Sequence, residues 1–404
     1  MQGTVAQIAW LGKKSPFCGN VTYGLSTTEA LRQRGHAVSF IHFDTPATAL
    51  GLLEAARHEG ARLDPLPADL AGGDPDVTLS YLVKSQVYTI PSPGAQRELR
   101  ESLERLRPDL VHASLTLSPL DFRLPDLCQQ LGLPLVATFH PAFDAGLRNL
   151  AAGTQQLTYQ LYAPSLARYD RVIVFSDLQA GVLERLGVRA ERIAVIPNGV
   201  DPTLWRPVGS APSPEYRELR ERFSGLRVFL YMGRITTEKN VEALLRAWRL
   251  VRPEGCLLVI VGDGPLRGLL QNSAEPDVLW WGIETNLERR VALLQLAEVF
   301  LLPSLVEGLS LALLEAMASG TACVATDAGA DGQVLEGGAG IVIRTQGVTT
   351  QLRTLLPVLR DQPVLTAELG HRARQRVQER YTLSANIDAL ERLYDEVIQQ
   401  PVAA

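Results

Sequence analysis

Cysteine is scarce: Cys18, Cys128, Cys256 and Cys323 are scattered through 404 residues without a CxxC pair. That excludes a disulfide scaffold and fits reduced thiols in a cytosolic protein. No uninterrupted apolar run reaches about 18 residues, and no cationic start leads into an apolar stretch with a small-residue cleavage site. The expectation is therefore neither a membrane span nor secretion, and a cytoplasmic location. The charge balance lacks a basic excess, with 39 Lys and Arg against 44 Asp and Glu and a net charge of -5, which gives no reason to expect nucleic-acid binding. No GxGxxG follows a strand with an acidic residue about 20 positions on, which argues against a dinucleotide oxidoreductase. Lysine is nearly absent: only Lys13, Lys14, Lys84 and Lys239 occur, and arginine supplies the rest.

The composition that remains, 46% hydrophobic and 21% charged, is that of a globular protein long enough for two domains. The first half alternates strand and helix signals. Strands are predicted at Val5–Trp10, His36–Phe43, Asp109–Ala113, Leu135–Phe139, Arg171–Phe175 and Arg192–Ile196, with helices at Thr22–Arg34, 95–107, 119–131 and 177–186. The second half repeats the scheme, with strands near 227–232, 256–262, 278–281, 298–302, 322–326 and 340–343. Strands separated by helices imply parallel sheets of βαβ units. The fold class is thus α/β, two doubly wound parallel-sheet domains with a cleft between the carboxyl ends of their strands. The domains are read as residues 1–204 and 205–380, followed by a last helix within 381–404; the join lies in the Pro- and Gly-rich stretch Val200–Pro214.

The most informative stretch is Glu307-Gly-Leu-Ser-Leu-Ala-Leu-Leu-Glu315. It follows the strand-like run Val299–Leu302 and Pro303-Ser304, and Leu311–Met317 reads as a helix closed by Gly320. The free amides of that helix start, near Gly308, Leu309 and Ser310, form an anion site. A phosphate there would have hydroxyl-rich groups on either side, each meeting one carboxylate: sugar, diphosphate, ribose. The bland reading is two solvated surface acids. Upstream, the β-type run Leu226–Met232 ends in Gly233-Arg234, with Lys239 five residues on at the start of a helical pattern. A strand-to-helix turn carrying Arg and Lys is where an open parallel sheet binds phosphates.

In order along the chain, Gly233-Arg234…Lys239, Val261-Gly-Asp-Gly-Pro265, Trp281-Gly282, Pro303-Ser304 and Glu307-x7-Glu315 resemble the family 4 retaining glycosyltransferases of GT-B fold. Ile196-Pro-Asn198-Gly199-Val200-Asp201 is similar to that family's hinge into the second domain. The resemblance implies two Rossmann-like domains facing a central cleft and a final helix packing back across the interdomain region. It implies transfer of a hexose from a nucleotide diphosphate sugar to an acceptor hydroxyl with retention, without an obvious protein nucleophile and with the donor phosphate assisting deprotonation. Arg234 and Lys239, with the amides of Gly308, Leu309 and Ser310, would stabilise the leaving diphosphate. Glu315 would accept from ribose hydroxyls, Glu307 from hydroxyls of the sugar, and Gly282 and Ile283 would meet the base edge. His140, ending the strand Leu135–Phe139, resembles the family histidine facing the donor sugar; a structural histidine is the alternative, and weighs more heavily for His112. Gly19 stands where the family has paired glycines, but here the second is Asn20, so only Gly19 carries over.

No metal or other cofactor is expected. Asp74-Pro75-Asp76 fits a metal-holding DxD pattern, but it sits in a Gly/Pro-rich loop with no strand ending just before it, and a turn is the better reading. The nucleotide is expected to be UDP, with GDP open, and glucose, galactose and mannose are not separated.

The acceptor is expected to be a lipid, a soluble sugar or a polysaccharide. Trp10–Asn20 and Thr138–Asp144 are similar to bacterial glycolipid synthases that glycosylate diacylglycerol or its monohexosyl form. The segment Phe143–Pro164, with Leu147, Leu150, Leu157, Leu161, Tyr162 and one cation, Arg148, suits a membrane interface on the inner face of the cell membrane. Helix Arg97–Arg107 has Leu99, Leu103 and Leu106 on one face and Arg97/Glu101 and Arg100/Glu104 pairs on the other, so sheet packing is its expected role. Lys13 and Lys14 read as solvated loop cations, with contact to an anionic acceptor as the alternative. Competing classes are a sugar-nucleotide 2-epimerase of the same shape, converting donor without acceptor, and a non-catalytic sugar-nucleotide binding module.

Overall fold

A computed structural model describes residues 5–14, 18–44, 76–85, 88–143, 150–271 and 275–399. The first half builds β1 (Gln7–Leu11), β2 (Ala37–Phe43), β3 (Val77–Leu79), the antiparallel pair β4 (Tyr81–Lys84) and β5 (Thr89–Pro91), then β6 (Leu110–Ser114), β7 (Leu135–Thr138), β8 (Arg171–Val174) and β9 (Ile193–Val195). The second half builds β10 (Arg227–Met232), β11 (Cys256–Val261), β12 (Val278–Gly282), β13 (Val299–Leu302), β14 (Ala322–Thr326) and β15 (Ile341–Ile343). Two parallel sheets result, ordered β3-β2-β1-β6-β7-β8-β9 and β12-β11-β10-β13-β14-β15. Central strands such as Cys256–Val261 are buried along their whole length, as apolar runs covered by helices on both faces must be.

In each sheet the strand order reverses once, between β1 and β6 and between β10 and β13. At such a reversal the loops leaving the two strands diverge and open a crevice. The loops after β1, β6, β10 and β13 carry Lys13, Leu115, Arg234 and Glu307, so these segments are placed at the crevices by topology.

Two chain crossings join the halves, and they pair with each other. Val200 N–H donates to Tyr381 O (2.9 Å) and Leu383 N–H donates to Val200 O (2.9 Å). A Cβ on Gly199 would stand 2.4 Å from Thr382 O, so only glycine fits the crossing. The last helix, Leu383–Gln399, then docks on the first half. Tyr394 Oη meets Nδ1 of the wholly buried His112 at 2.5 Å, Arg34 pairs with Asp388 and Glu391, and Asn386 Nδ2 donates to Pro197 O (2.6 Å). His112 also meets Thr138 Oγ1 through Nε2 (2.7 Å), which makes it a structural histidine. The 95–107 reading holds in detail: Leu99 and Leu103 are buried, and the two Arg–Glu pairs lie on the surface at 3.6 and 3.9 Å. Among the described residues no helix is long and apolar enough to cross a membrane.

Candidate functional site

The segment after β13 enters the cleft and is gripped from three sides. Phe143 N–H of the first half donates to Glu307 O (2.9 Å), Asn198 Nδ2 donates to Leu309 O (2.9 Å), and Ala330 N–H donates to Gly308 O (2.9 Å). Gly329 has φ +56°, and a Cβ there would lie 2.0 Å from Glu307 O, so the 328–331 turn presses its bare backbone against the segment. A Cβ on Gly308 would be 3.4 Å from His140 O, which puts the two halves in near contact here.

The bland reading of the two glutamates is overturned, since both are buried and both hold a cation. Glu307 Oε1 pairs with Lys239 Nζ and accepts from Ser304 Oγ (2.8 Å). Glu315 receives Arg290 Nη2 on both oxygens, at 2.9 and 3.2 Å, and the Arg290 guanidinium lies 5.3 Å from the centre of the Trp205 ring. Burial pushes the Glu315 carboxyl above its ordinary range, and Arg290 opposes that shift. Arg290 was missed in the sequence, since an arginine at the fourth position of an ordinary-looking surface helix, Leu287–Leu296, gives no signal of its own.

The predicted anion site needs one correction. Ser310 caps the helix Leu311–Ala318, its Oγ accepting from Leu313 N–H (3.3 Å), but its own amide is not free: it donates to Asp331 Oδ1 at 3.0 Å. The described residues offer no acceptor to the amides of Gly308 and Leu309. Asp331, which sequence reading passed over, is wholly buried. Burial first, and Glu307 second, hold its carboxyl well above the usual carboxylate range.

Arg234 and Lys239 flank the turn after β10 as expected. Arg234 Nη2 reaches Glu238 Oε1 at 3.0 Å and remains about one-third exposed, while Tyr231 Oη donates to Arg234 O (2.6 Å). The 261–265 loop packs on this turn backbone to backbone. A Cβ on Gly262, at φ +135°, would lie 1.9 Å from Gly233 O, and one on Gly264 would lie 2.4 Å from Ile235 O. Gly262 N–H donates to Gly282 O (2.7 Å), so Gly282, at φ +93°, joins the same group of loops, and Ile283 beside it is 62% exposed.

On the facing side, His140 is held through Nε2, 2.8 Å from Ser114 Oγ. Ser114 Oγ–H donates to Asn20 Oδ1 (2.8 Å), while Asn20 Nδ2 donates to Leu115 O (3.1 Å). A hydroxyl has one proton, and this one is committed to Asn20, so Nε2 of His140 is the donor and Nδ1 keeps its lone pair. Burial, with Lys13 nearby, pushes the His140 imidazolium pKa down to about 3, so the ring is neutral. Asn20, the departure from paired glycines, thus reaches the candidate histidine through Ser114. Gly19 itself opens the helix Gly19–Gln33 at the surface and is not brought into contact with the other candidates.

Lys13 is not a solvated cation: it is buried, with Cys18 and Asp121 favouring its charge and Lys84 and Arg234 opposing it. Lys14 is paired to Asp76. Asp74 and Pro75 lie outside the described residues, as do Leu147 and Arg148. Farther along that segment Leu157 and Leu161 are 65% and 60% exposed, whereas Tyr162 is buried with its hydroxyl on Asp121 Oδ2 at 2.6 Å.

Residues 19–204 match the family described as Glycosyltransferase Family 4, and residues 226–361 match Glycosyl transferases group 1. Over 292 residues the chain is 30% identical to the MMP alpha-(1->4)-mannosyltransferase of Mycolicibacterium hassiacum, covering 68% of each chain. The chain belongs to glycosyltransferase family 4. A second likeness is to the putative glycosyltransferase EpsF of Bacillus subtilis, at 30% identity over 51% of this chain and 54% of EpsF, so the chain spans about half that relative's length. A third is to the alpha-monoglucosyldiacylglycerol synthase of Streptococcus pneumoniae, at 27% identity over 49% of this chain and 47% of that one. Among solved structures, Anabaena HepE in complex with UDP-glucose superposes with a TM-score of 0.71 and 18% identity, over 96% of this chain and 99% of that one. That likeness shows the GT-B fold.

Proposed function

We propose that this chain is a metal-independent retaining hexosyltransferase whose donor is a nucleotide diphosphate sugar, UDP-glucose or UDP-galactose in the first instance. The reading rests on one observation: the buried Lys239–Glu307 pair stands beside the helix start at Gly308–Ser310, with Phe143 of the other half bonded to Glu307 O. As the glycosidic bond breaks, charge grows on the leaving diphosphate. Arg234 suits bidentate contact with it, Lys239 acts as a point charge, and the Gly308 and Leu309 amides add dipoles. A unit charge pair at 4 Å is worth about 4 kcal/mol at an effective dielectric of 20, so two cations matter to the rate. Glu307 accepts from sugar hydroxyls and Glu315, oriented by Arg290, from the ribose. Neutral His140 offers its Nδ1 lone pair to a sugar hydroxyl, and Gly282 and Ile283 line the base. The acceptor proton goes to the departing phosphate, so neither glutamate is the nucleophile. The domain limits 1–204, 205–380 and 381–404 are part of this reading: the earlier unit takes the acceptor, the later one the donor.

For the acceptor we infer a diacylglycerol-type lipid. Leu157 and Leu161, four apart on the helix Leu150–Leu166, are exposed, and so are Leu82, Val83 and Ile90 on the β4–β5 hairpin. The two elements adjoin through the 119–122 turn: Phe122 lies 4.7 Å from the Tyr162 ring, and Thr89 N–H donates to Leu117 O (3.3 Å). Such a surface suits the membrane interface, and the Streptococcus pneumoniae relative carries a glycolipid synthase name. Buried Lys13 favours a second reading, an acceptor bearing negative charge such as a sugar phosphate. A panel of UDP- and GDP-sugars against a lipid extract, simple sugars and sugar phosphates, with the product anomer read by NMR, tests both. An inverted product, donor conversion without acceptor, or turnover abolished by EDTA would each overturn the reading.

A further inference from the structure

Against the 307–315 segment stands a carboxyl group that the proposed reaction does not use. Asp331 starts the short helix Asp331–Val334 and is wholly buried. Its Oδ1 accepts from Ser310 N–H at the start of the helix Leu311–Ala318, and its Oδ2 has no hydrogen-bond partner among the described residues. Every other acid around it is differently provided. Glu307 has Lys239 and Ser304, Glu315 has Arg290, and Asp327 Oδ1 accepts from Thr345 N–H (3.0 Å). The facing imidazole, His140, is neutral. Of the groups that act on Asp331, Glu307 repels its charge and Lys239 favours it, but that lysine is already paired with Glu307.

A buried carboxyl with no cation of its own among the described residues therefore sits at the helix start where the function proposed above brings in a diphosphate. Two anions at one helix start repel, and the buried acid has a cheap escape, which is to become neutral. A neutral carboxyl still accepts from Ser310 N–H through its carbonyl oxygen, so the segment keeps its position.

We propose that Asp331 is a positioning residue for donor binding: it holds the Ser310 amide in the empty cleft and takes one proton from solvent onto its carboxyl as the diphosphate arrives. It does so without touching the donor. The proposal rests on the nucleotide-sugar reading and adds a proton to it. Burial that already raises the proton affinity of Asp331 works in the same direction. Because the loaded state binds more protons than the empty one, donor affinity falls as pH rises, by up to about tenfold in Kd per pH unit for one linked proton.

The test is calorimetric titration of the full chain with UDP-glucose and GDP-mannose from pH 6 to 8.5, in two buffers of different ionisation enthalpy. Wild type is expected to take up a fraction of a proton, at most one, per donor bound, with Kd rising with pH. Asp331→Asn, which keeps an acceptor for Ser310 N–H and cannot titrate, is expected to bind without proton uptake and with a flat pH profile. Asp331→Leu, which removes the acceptor, is expected to raise Kd tenfold or more across the range. Proton uptake persisting in Asp331→Asn, or a flat profile in wild type, would overturn the proposal alone. Failure of wild type to bind any nucleotide sugar would instead remove the function reading, and this inference with it. Should Asp331→Leu not fold, the asparagine variant still decides.

Discussion

At the scale of single residues, the glutamates and cations of the site are given partners. Lys239 and Glu307 hold one another, and Arg234 leans on Glu238. Removing one member leaves a buried or half-buried charge alone and also deletes a contact to the growing charge on the diphosphate. Arg234→Ala and Glu307→Ala are each expected to cut turnover at least about a hundredfold while the protein stays folded; near-normal rates with an unchanged far-UV spectrum would reject the assigned roles. Histidine ionisation gives a second check. His112 and His140 are pushed down to about 3 by burial, so both should remain neutral at pH 5, where an ordinary imidazole is charged. Nitrogen-15 NMR of the imidazoles is expected to find both uncharged at pH 5, with Nε2 of His140 carrying its proton. A titration midpoint between pH 6 and 7 for either would contradict the burial argument. These residues were unevenly legible. Lys239 stood out because lysine is rare, and the paired glutamates because of their spacing. Arg290, Asp331 and Asn20 bear no local pattern; each matters only because a distant segment is folded against it.

At the scale of elements, loops meet backbone to backbone and glycine makes the meeting possible. Gly262 takes φ +135° with Gly233 O where its Cβ would be. Gly262→Ala is expected to cost about 1–3 kcal/mol in strain and, by displacing Gly233 and Arg234, to raise the KM for donor severalfold. Urea denaturation and donor kinetics read the two effects separately. The last helix offers a packing prediction. Tyr394→Phe leaves Nδ1 of the buried His112 without its partner and is expected to cost about 1–3 kcal/mol, measured by the shift in the urea midpoint. Strands were legible as elements because their apolar runs need cover on both faces, and predicted and observed bounds differ by a residue or two. Between β2 and the 95–106 helix, where the sequence predicts no strand, the structure holds β3, β4 and β5. These are short strands of three and four residues, too brief for a periodic signal to emerge. The predicted helix 119–131 divides into a 3-10 turn, Pro119–Phe122, and a helix, Leu124–Leu131. Pro125 at the second helix's first turn suits a fresh start rather than continuation.

At the scale of the whole molecule, two parallel sheets bring their reversal points to one cleft, and the last helix ties the far end of the chain back to the first half. The exposed leucines of the helix Leu150–Leu166 lie on the half proposed to take the acceptor. If that surface meets lipid, the full chain is expected to float with anionic liposomes, and Leu157→Glu with Leu161→Glu to abolish flotation while leaving transfer to a short soluble acceptor intact. Flotation unaffected by the pair, or no association in wild type, would remove the membrane part of the proposal and leave the donor site untouched.

Apolar periodicity and turn chemistry are local and survive in one dimension, so the chain alone was enough to specify two wound sheets, while the family was reached through the resemblance carried by its ordered motifs. Pairing was decided in three dimensions. That Glu315 is held by Arg290, that the Ser310 amide is already taken by Asp331, and that Asn20 sets the proton on His140 through Ser114 all depend on which loops two sheet reversals push together. Burial makes each of those contacts count, since a charge or a lone pair removed from water answers to whatever the fold sets beside it.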